Sequence, residues 1–412
     1  MTLRTGDRIP KNKLEEELDR NSRRILNLQL FSSVHYAVNE TINDSIDIHF
    51  NLQEMVYWIP RPMLTLADRN INVWWKEQEH ALDRINLGLE LTRLNFRGRN
   101  ERIGGTVQVG YNKFFDFFYK IPYFDRRLKR GAGISFTYFT GKETAYRVKG
   151  NKLLFFRSEE NPYQGFQTEL TYTYRPAYAI THEGNISYNH YSITDSLYQL
   201  NRLLLAGRKK LNYVELKYTV GFNNTDIRIY PLNGLDARIY LSSKNGLGAD
   251  RSLHQHMLRA ECSYYKRLNH FFSTSFVFRG RVATTLQQTF LFSRALGFKN
   301  EYLRGYEYYV IDGTHYALFR GNLRMRIIDR TIKQNWIGIF RFLPIRCYAK
   351  LFDDLGYVVA GNFQESRSLN NRWLNGFGAG IDIILSYYAR FRIEYSFNHL
   401  HQNGLFLHGN KE

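Results

Sequence analysis

The chain contains no run of eighteen apolar residues, yet long segments of it switch between apolar and polar side chains at every step. The first property excludes a membrane-spanning helix, and the second calls for β-strands with two different faces. Over Asn212–Phe222, Val214, Leu216, Tyr218, Val220 and Phe222 point one way, while Tyr213, Glu215, Lys217 and Thr219 point the other. Phe166–Arg175 repeats the scheme, setting Phe166, Leu170, Tyr172 and Tyr174 against Gln167, Glu169, Thr171 and Arg175. Leu258–Tyr264 does so again, with Arg259 and Glu261 on the polar face. Such alternation fits a soluble sandwich or barrel with one wet face, or a membrane barrel with a wet lumen. Soluble strands average about five or six residues. A tilted strand that crosses a bilayer needs about 9–11. The segments here have the longer length.

Composition points the same way. Aromatic residues make up 16% of the chain, with 30 Tyr and 30 Phe, and there are only 8 Pro. Aromatic strands and girdles account for the first, and long hydrogen-bonded ladders for the second. The mean hydropathy of −0.45 is no objection, because every second strand residue of a membrane barrel faces water. Connections alternate in length. Pro122-Tyr123-Phe124 and Asn233-Gly234 mark short turns, whereas 145–162, 285–313 and 357–371 are long and polar. Short turns on one side and long loops on the other suit an outer-membrane barrel. The net charge of +19 suggests nucleic acid or anionic lipid and lipopolysaccharide as partners. Because Lys and Arg are dispersed through strands, nucleic acid is not expected. Cys262 and Cys347 stand alone in apolar strand phases and make neither a metal motif nor a disulfide framework.

Residues 1–54 read differently. Lys11 to Leu30 carries Leu14, Leu18, Ile25 and Leu28 at helical spacing, with acidic residues early and basic ones late, as a helix dipole favours. Strands over Val34–Val38 and Ser45–Leu52 follow, with Asn43-Asp44 as the turn between them. One helix and one hairpin are too little for a stable domain. Met1-Thr2-Leu3-Arg4-Thr5 also lacks the apolar stretch of a secretory signal. The expectation is that sequence preceding this chain completes both.

The ordered motifs resemble the BamA/TamA (bacterial surface antigen) family. Tyr302-Leu303-Arg304-Gly305-Tyr306 is similar to its Arg-Gly-aromatic loop tip, and Leu351-Phe352-Asp353-Asp354-Leu355-Gly356 to its Phe-x-Asp-x-Gly strand. Asn95-Phe96-Arg97-Gly98 through Gly110 resembles its second and third strands. Ile121-Pro122-Tyr123-Phe124 and Tyr230-Pro231-Leu232-Asn233-Gly234 resemble two of its turns. Gly376-Phe377-Gly378-Ala379-Gly380 and Phe391-Arg392-Ile393-Glu394-Tyr395 resemble its last strands. Leu28-Gln29-Leu30-Phe31-Ser32-Ser33-Val34 is similar to a junction in its periplasmic POTRA domains.

The resemblance implies an all-β transmembrane fold: an antiparallel barrel of about 16 strands after a partial α+β POTRA domain. It divides the chain into 1–54 (POTRA remnant), a linker over 55–68, and a barrel over 69–412 with an inward loop at 285–313. In that loop Leu303, Arg304, Gly305 and Tyr306 would sit in the lumen, the Arg304 guanidinium gripping the carboxylate of Asp354 with two bonds. The family's usual Glu on the following strand is replaced by Arg324, which with Arg320 and Arg326 would make a basic lumen face. The family's closing aromatic is also missing: Gly404–His408 is followed by Gly409-Asn410-Lys411-Glu412.

Other constellations carry less. Gly376-x-Gly-x-Gly is a poor phosphate loop, because no helix follows it. Its glycines suit close contact in a curved sheet. His254/His256 and His399/His401 share strand faces but have no accompanying Cys or carboxylate cluster, so solvated rim positions are expected rather than a metal site. Asp353 and Asp354 point to opposite faces, which disfavours an acid pair for hydrolysis. Without the resemblance, Arg304 would read as a solvated loop cation.

By resemblance, the chain is a non-enzymatic factor of the bacterial outer membrane that needs no cofactor. It would insert unfolded outer-membrane clients through a barrel seam between a first strand near Asn70–Lys76 and a last near Gly404–His408. Periplasmic or lipoprotein assembly factors and lipid would be its other partners. The alternatives are a two-partner secretion pore or passive channel on the same fold, and a soluble basic β protein.

Overall fold

Each alternating segment pairs with its neighbour in the chain. In this computed structural model the described residues are all except 1, 2, 4, 29, 41–44, 55, 68–73, 76–78, 228–229, 252, 285–288, 299–300, 334–341, 361–367, 386–388 and 410–412. Near the N-terminus, α1 (Leu14–Leu26) packs against a hairpin of β1 (Phe31–Glu40) and β2 (Ile46–Glu54). Leu18 and Ile25 are buried on the helix, and Tyr36 donates from the hairpin to Asp19 at 3.1 Å. A helix and a hairpin form as expected, but α1 is shorter than Lys11–Leu30 at both ends: Lys11–Lys13 forms a 3-10 turn and the helix stops at Leu26. The expected turn at Asn43-Asp44 lies outside the described residues.

The remaining strands are β3 (Trp58–Leu66), β4 (Ile85–Phe96), β5 (Glu101–Gly110), β6 (Asn112–Ile121), β7 (Arg130–Gly141), β8 (Glu143–Lys149), β9 (Lys152–Arg157), β10 (Tyr163–Tyr174), β11 (Ile180–Ile193), β12 (Lys210–Asn223), β13 (Gly234–Gly246), β14 (His254–Arg267), β15 (Phe272–Ala283), β16 (Arg294–Leu296), β17 (Ile311–Asp312), β18 (His315–Lys333), β19 (Phe342–Val359), β20 (Leu374–Leu385), β21 (Ala389–Asn398) and β22 (Asn403–His408). Among the described residues, sixteen of them form one antiparallel sheet running from β3 to β22, which leaves out only the hairpins β1–β2, β8–β9 and β16–β17. The short helix α2 (Asp195–Leu200) belongs to the β11–β12 loop.

The faces of the sheet are inverted relative to a soluble protein. Leu87, Leu89 and Leu91 on β4 are exposed, as are Val107 and Val109 on β5, Leu216 and Tyr218 on β12, and Leu351 and Leu355 on β19. The residues between such positions are buried and polar: Asn185, Ser187 and Asn189 on β11, Ser273 and Ser275 on β15, Lys350 and Asp354 on β19, Asp382 on β20 and Glu394 on β21. An apolar outside around a polar inside is the arrangement of a transmembrane β-barrel. The sheet curls far enough for Tyr230, in the β12–β13 turn, to reach Asp382 on β20.

The linker expected over 55–68 is not one. Trp58–Leu66 is β3, the first barrel strand, paired to β4 over its whole length. Its prolines and mixed polarity hide the alternation, and its apolar positions match those of Leu87–Leu91 opposite. The first strand expected near Asn70–Lys76 lies largely outside the described residues, in the connection from β3 to β4.

Candidate functional site

The β15–β18 connection turns into the barrel. Its short β16–β17 ladder brings Leu296 and Ile311 together, and these pack with Ala295, Leu303, Tyr306 and the strand residues Leu318, Val358 and Leu374 in one buried apolar cluster. That cluster fixes the base of the loop, so the tip can carry a charge inward.

At the tip, the Arg304 Nε donates to Asp354 Oδ2 at 2.8 Å and its backbone N–H to the same oxygen at 3.3 Å. A second guanidinium nitrogen donates to Asp354 Oδ1. The third, Nη1, donates to Asn322 Oδ1 at 2.8 Å and Glu394 Oε1 at 3.1 Å. The guanidinium also lies over the Phe352 ring, 4.0 Å from its centre. Burial works against this charge, and the carboxylates of Asp354 and Glu394 offset it by direct pairing. A buried charge is tolerated only with such complete pairing.

Two glycines make the approach possible. Gly305 has φ +86°, and a side chain there would also meet the carbonyl oxygen of Phe397, 2.7 Å from its Cβ. Asn398 Nδ2 donates to the Gly305 carbonyl at 2.7 Å. A Cβ on Gly376 would lie 1.8 Å from the Arg304 carbonyl oxygen. The Gly376-x-Gly-x-Gly run therefore serves close backbone approach.

Around the tip the lumen holds a layered charge network. Lys350 Nζ sits 2.6 Å from Asp382 and 2.8 Å from Glu394, and Arg392 Nε is 3.3 Å from Asp382. Tyr230 enters from the β12–β13 turn and donates to Asp382 Oδ2 at 2.7 Å. Loop and last strand also touch: the Tyr302 ring stacks on His408 of β22 at 4.8 Å, and Tyr308 lies 5.5 Å from Phe406.

The structure brings Leu303, Arg304, Gly305, Tyr306 and Asp354 together. Arg320 joins them, its Nε 3.6 Å from Asp354 and another of its nitrogens donating to the Tyr302 carbonyl. Arg324 and Arg326 do not. Arg324 donates to Pro231 O at 3.1 Å and lies over the Tyr230 ring, so it holds a turn. Arg326 borders a bulge in the β18–β19 ladder and pairs with Asp329 at 3.1 Å. The three arginines are thus not one bare cationic face, because each meets its own acceptor. Sequence reasoning missed Glu394, Asn322, Lys350, Asp382 and Tyr230. Strand phase was the available signal, since Lys350, Asp354, Asp382 and Glu394 all interrupt strands as inward charges. Among the described residues no group of three or more His, Cys, Asp or Glu could hold a metal ion.

A sixteen-stranded, apolar-out barrel with a long loop tucked into its lumen defines an outer-membrane β-barrel. Residues 95–404 match the model of the Omp85 superfamily domain, and the chain belongs to that superfamily. Among curated protein sequences none matches. Its fold is similar to the crystal structure of BamA from Haemophilus ducreyi lacking POTRA domains 1–3, with a TM-score of 0.59 and 12% identity over 97% of this chain and 79% of that one. It is also similar to CdiB from Escherichia coli (TM-score 0.58, 10% identity, 98% of this chain and 71% of that one). CdiB from Acinetobacter baumannii gives a TM-score of 0.54 and 12% identity, covering 99% of this chain and 68% of that one. The superfamily and the barrel place the chain in a bacterial outer membrane.

Proposed function

We propose that this protein inserts outer-membrane clients through the seam between β3 and β22, with α1–β2 as the back of a POTRA domain that hands clients on. One observation carries the reading: β3 and β22 are the two ends of the sheet order, and among the described residues no ladder joins them. A strand edge in hydrocarbon leaves backbone groups unsatisfied, at several kcal/mol each. An incoming strand relieves that cost by pairing, so templated addition needs no ATP. Among the described residues β22 pairs with β21 over Asn403–His408. The Arg304–Asp354 pair anchors the loop to the fixed wall, and Tyr302 and Tyr308 pass its position to β22.

The test is a reversible lock. With Cys262 and Cys347 changed to Ser, Leu64→Cys is combined in turn with cysteines at 403, 405 and 407. Oxidation that joins the strands should stop insertion of an unfolded client into liposomes, and reduction should restore it. Undiminished insertion by the oxidised protein would sink the proposal. The fold is nearly as similar to CdiB as to BamA, which supports a second reading as a translocation pore of the two-partner type. Large steady ionic conductance in a planar bilayer, unaffected by the lock, would favour that pore.

A further inference from the structure

β3 reads Trp58-Ile59-Pro60-Arg61-Pro62-Met63-Leu64-Thr65-Leu66, placing two of the chain's 8 prolines in a single strand. Proline has no N–H, so the side of the strand it faces decides what is lost. The flanking bonds settle that side. Leu94 N donates to Tyr57 O at 2.7 Å, Ala67 N donates to Arg84 O at 2.8 Å, and the register from Trp58↔Arg93 to Leu66↔Ile85 runs without a shift. In an antiparallel ladder the residues that exchange bonds with the partner recur at every second position. Residues 57 and 67 belong to that set, so Ile59, Arg61, Met63 and Thr65 aim their backbone groups at β4. Trp58, Pro60, Pro62, Leu64 and Leu66 aim theirs the other way, at the seam. Both prolines therefore fall on the open side and cost the β3–β4 ladder nothing. Their rings share the outer face with Trp58 and Leu64, which are 50% and 69% exposed.

We infer that Pro60 and Pro62 make the middle of the β3 edge an acceptor-only stretch that keeps the seam from zipping and limits client pairing to the donors of Trp58, Leu64 and Leu66. This rests on the seam reading above and sharpens it. Between residues 60 and 62 the edge offers two carbonyls and no N–H. A strand laid there, whether β22 or a client, finds acceptors for its own N–H groups but leaves two of its carbonyls without donors. Hydrocarbon supplies no water to replace them. Full pairing is then unfavourable over the middle and favourable toward Leu64–Leu66. A client strand of an outer-membrane protein would begin pairing at that end and would not be held along its full length, so release stays possible. Soluble sheets use edge prolines to refuse partners altogether. Here the donors on either side leave a partial template.

The experiment compares the wild type with Pro60→Val, Pro62→Val and the double variant, all reconstituted in liposomes. Valine suits a lipid-facing strand position, and retained heat-modifiable gel mobility reports folding. Seam pairing is read without any client, from the oxidation yield of the Leu64→Cys scan against 403, 405 and 407. Client insertion is read separately. The double variant should raise the crosslink yield, shift the heat-modifiability midpoint upward and lose insertion, with each single variant between. If the double variant does not fold, Pro62→Val carries the same comparison. A folded variant with unchanged crosslink yield and midpoint overturns the inference, whatever its insertion activity. Raised crosslinking with unchanged insertion supports the proline inference and overturns the assembly reading.

Discussion

The wall formed by β18–β21 and the edge formed by β3 differ in how completely their polar groups are satisfied. On the wall, Arg304, Lys350, Asp354, Asp382 and Glu394 are all buried, and each is held by at least one opposite charge within about hydrogen-bond reach. On the edge, five backbone positions face away from the only ladder β3 makes among the described residues, and two of them are prolines. A membrane charges heavily for unsatisfied groups, so a barrel would be expected to finish both regions alike. The contrast is what the insertion proposal requires: the loop's charged tip is tied to the complete part of the barrel, and the incomplete edge is where the proposal places strand addition.

Breaking the fixed wall should have the largest effect. Arg304→Ala removes the cation that Asp354 and Glu394 share and leaves buried carboxylates short of a partner, which costs about 3–5 kcal/mol. The heat-modifiability midpoint should fall sharply, and the loop should become open to protease. Gly376→Ala sets a methyl group against the Arg304 carbonyl and should displace the loop tip at about 1–3 kcal/mol. A midpoint equal to wild type for that variant would show that the tip does not rest on β20. Tyr230→Phe removes a single hydrogen bond to Asp382, worth about 2 kcal/mol because its acceptor is charged. It should lower the midpoint less than Arg304→Ala and leave client insertion intact, since it touches the wall and not the seam.

Much of the barrel was legible in the sequence because a period of two survives wherever a strand separates lipid from water. Asn212–Phe222 shows it without interruption, and β12 spans it. β3 was not legible. Pro60 and Pro62 break the usual look of a strand, and only the leucines of β4 opposite reveal its outer face. The loop tip was visible through its resemblance to a family motif. Its wider surroundings were not: Glu394 and Asp382 lie dozens of residues from Arg304, and nothing local in either strand says which inward charges meet across a lumen. Arg324 shows the opposite failure. Its neighbours in sequence suggested a shared basic face, but the turn at Tyr230-Pro231 folds under it and, with Ser275 of β15, holds it.

The measurement that bears most directly on the contrast is photo-crosslinking to a stalled client, with the probe placed either at Leu64 on the β3 edge or at Leu323 on the outer face of β18. Both side chains are exposed toward lipid. Adducts to the client from residue 64 and none from residue 323 would place strand addition at the unfinished edge. Equal labelling from both positions, or labelling from residue 323 alone, would contradict it.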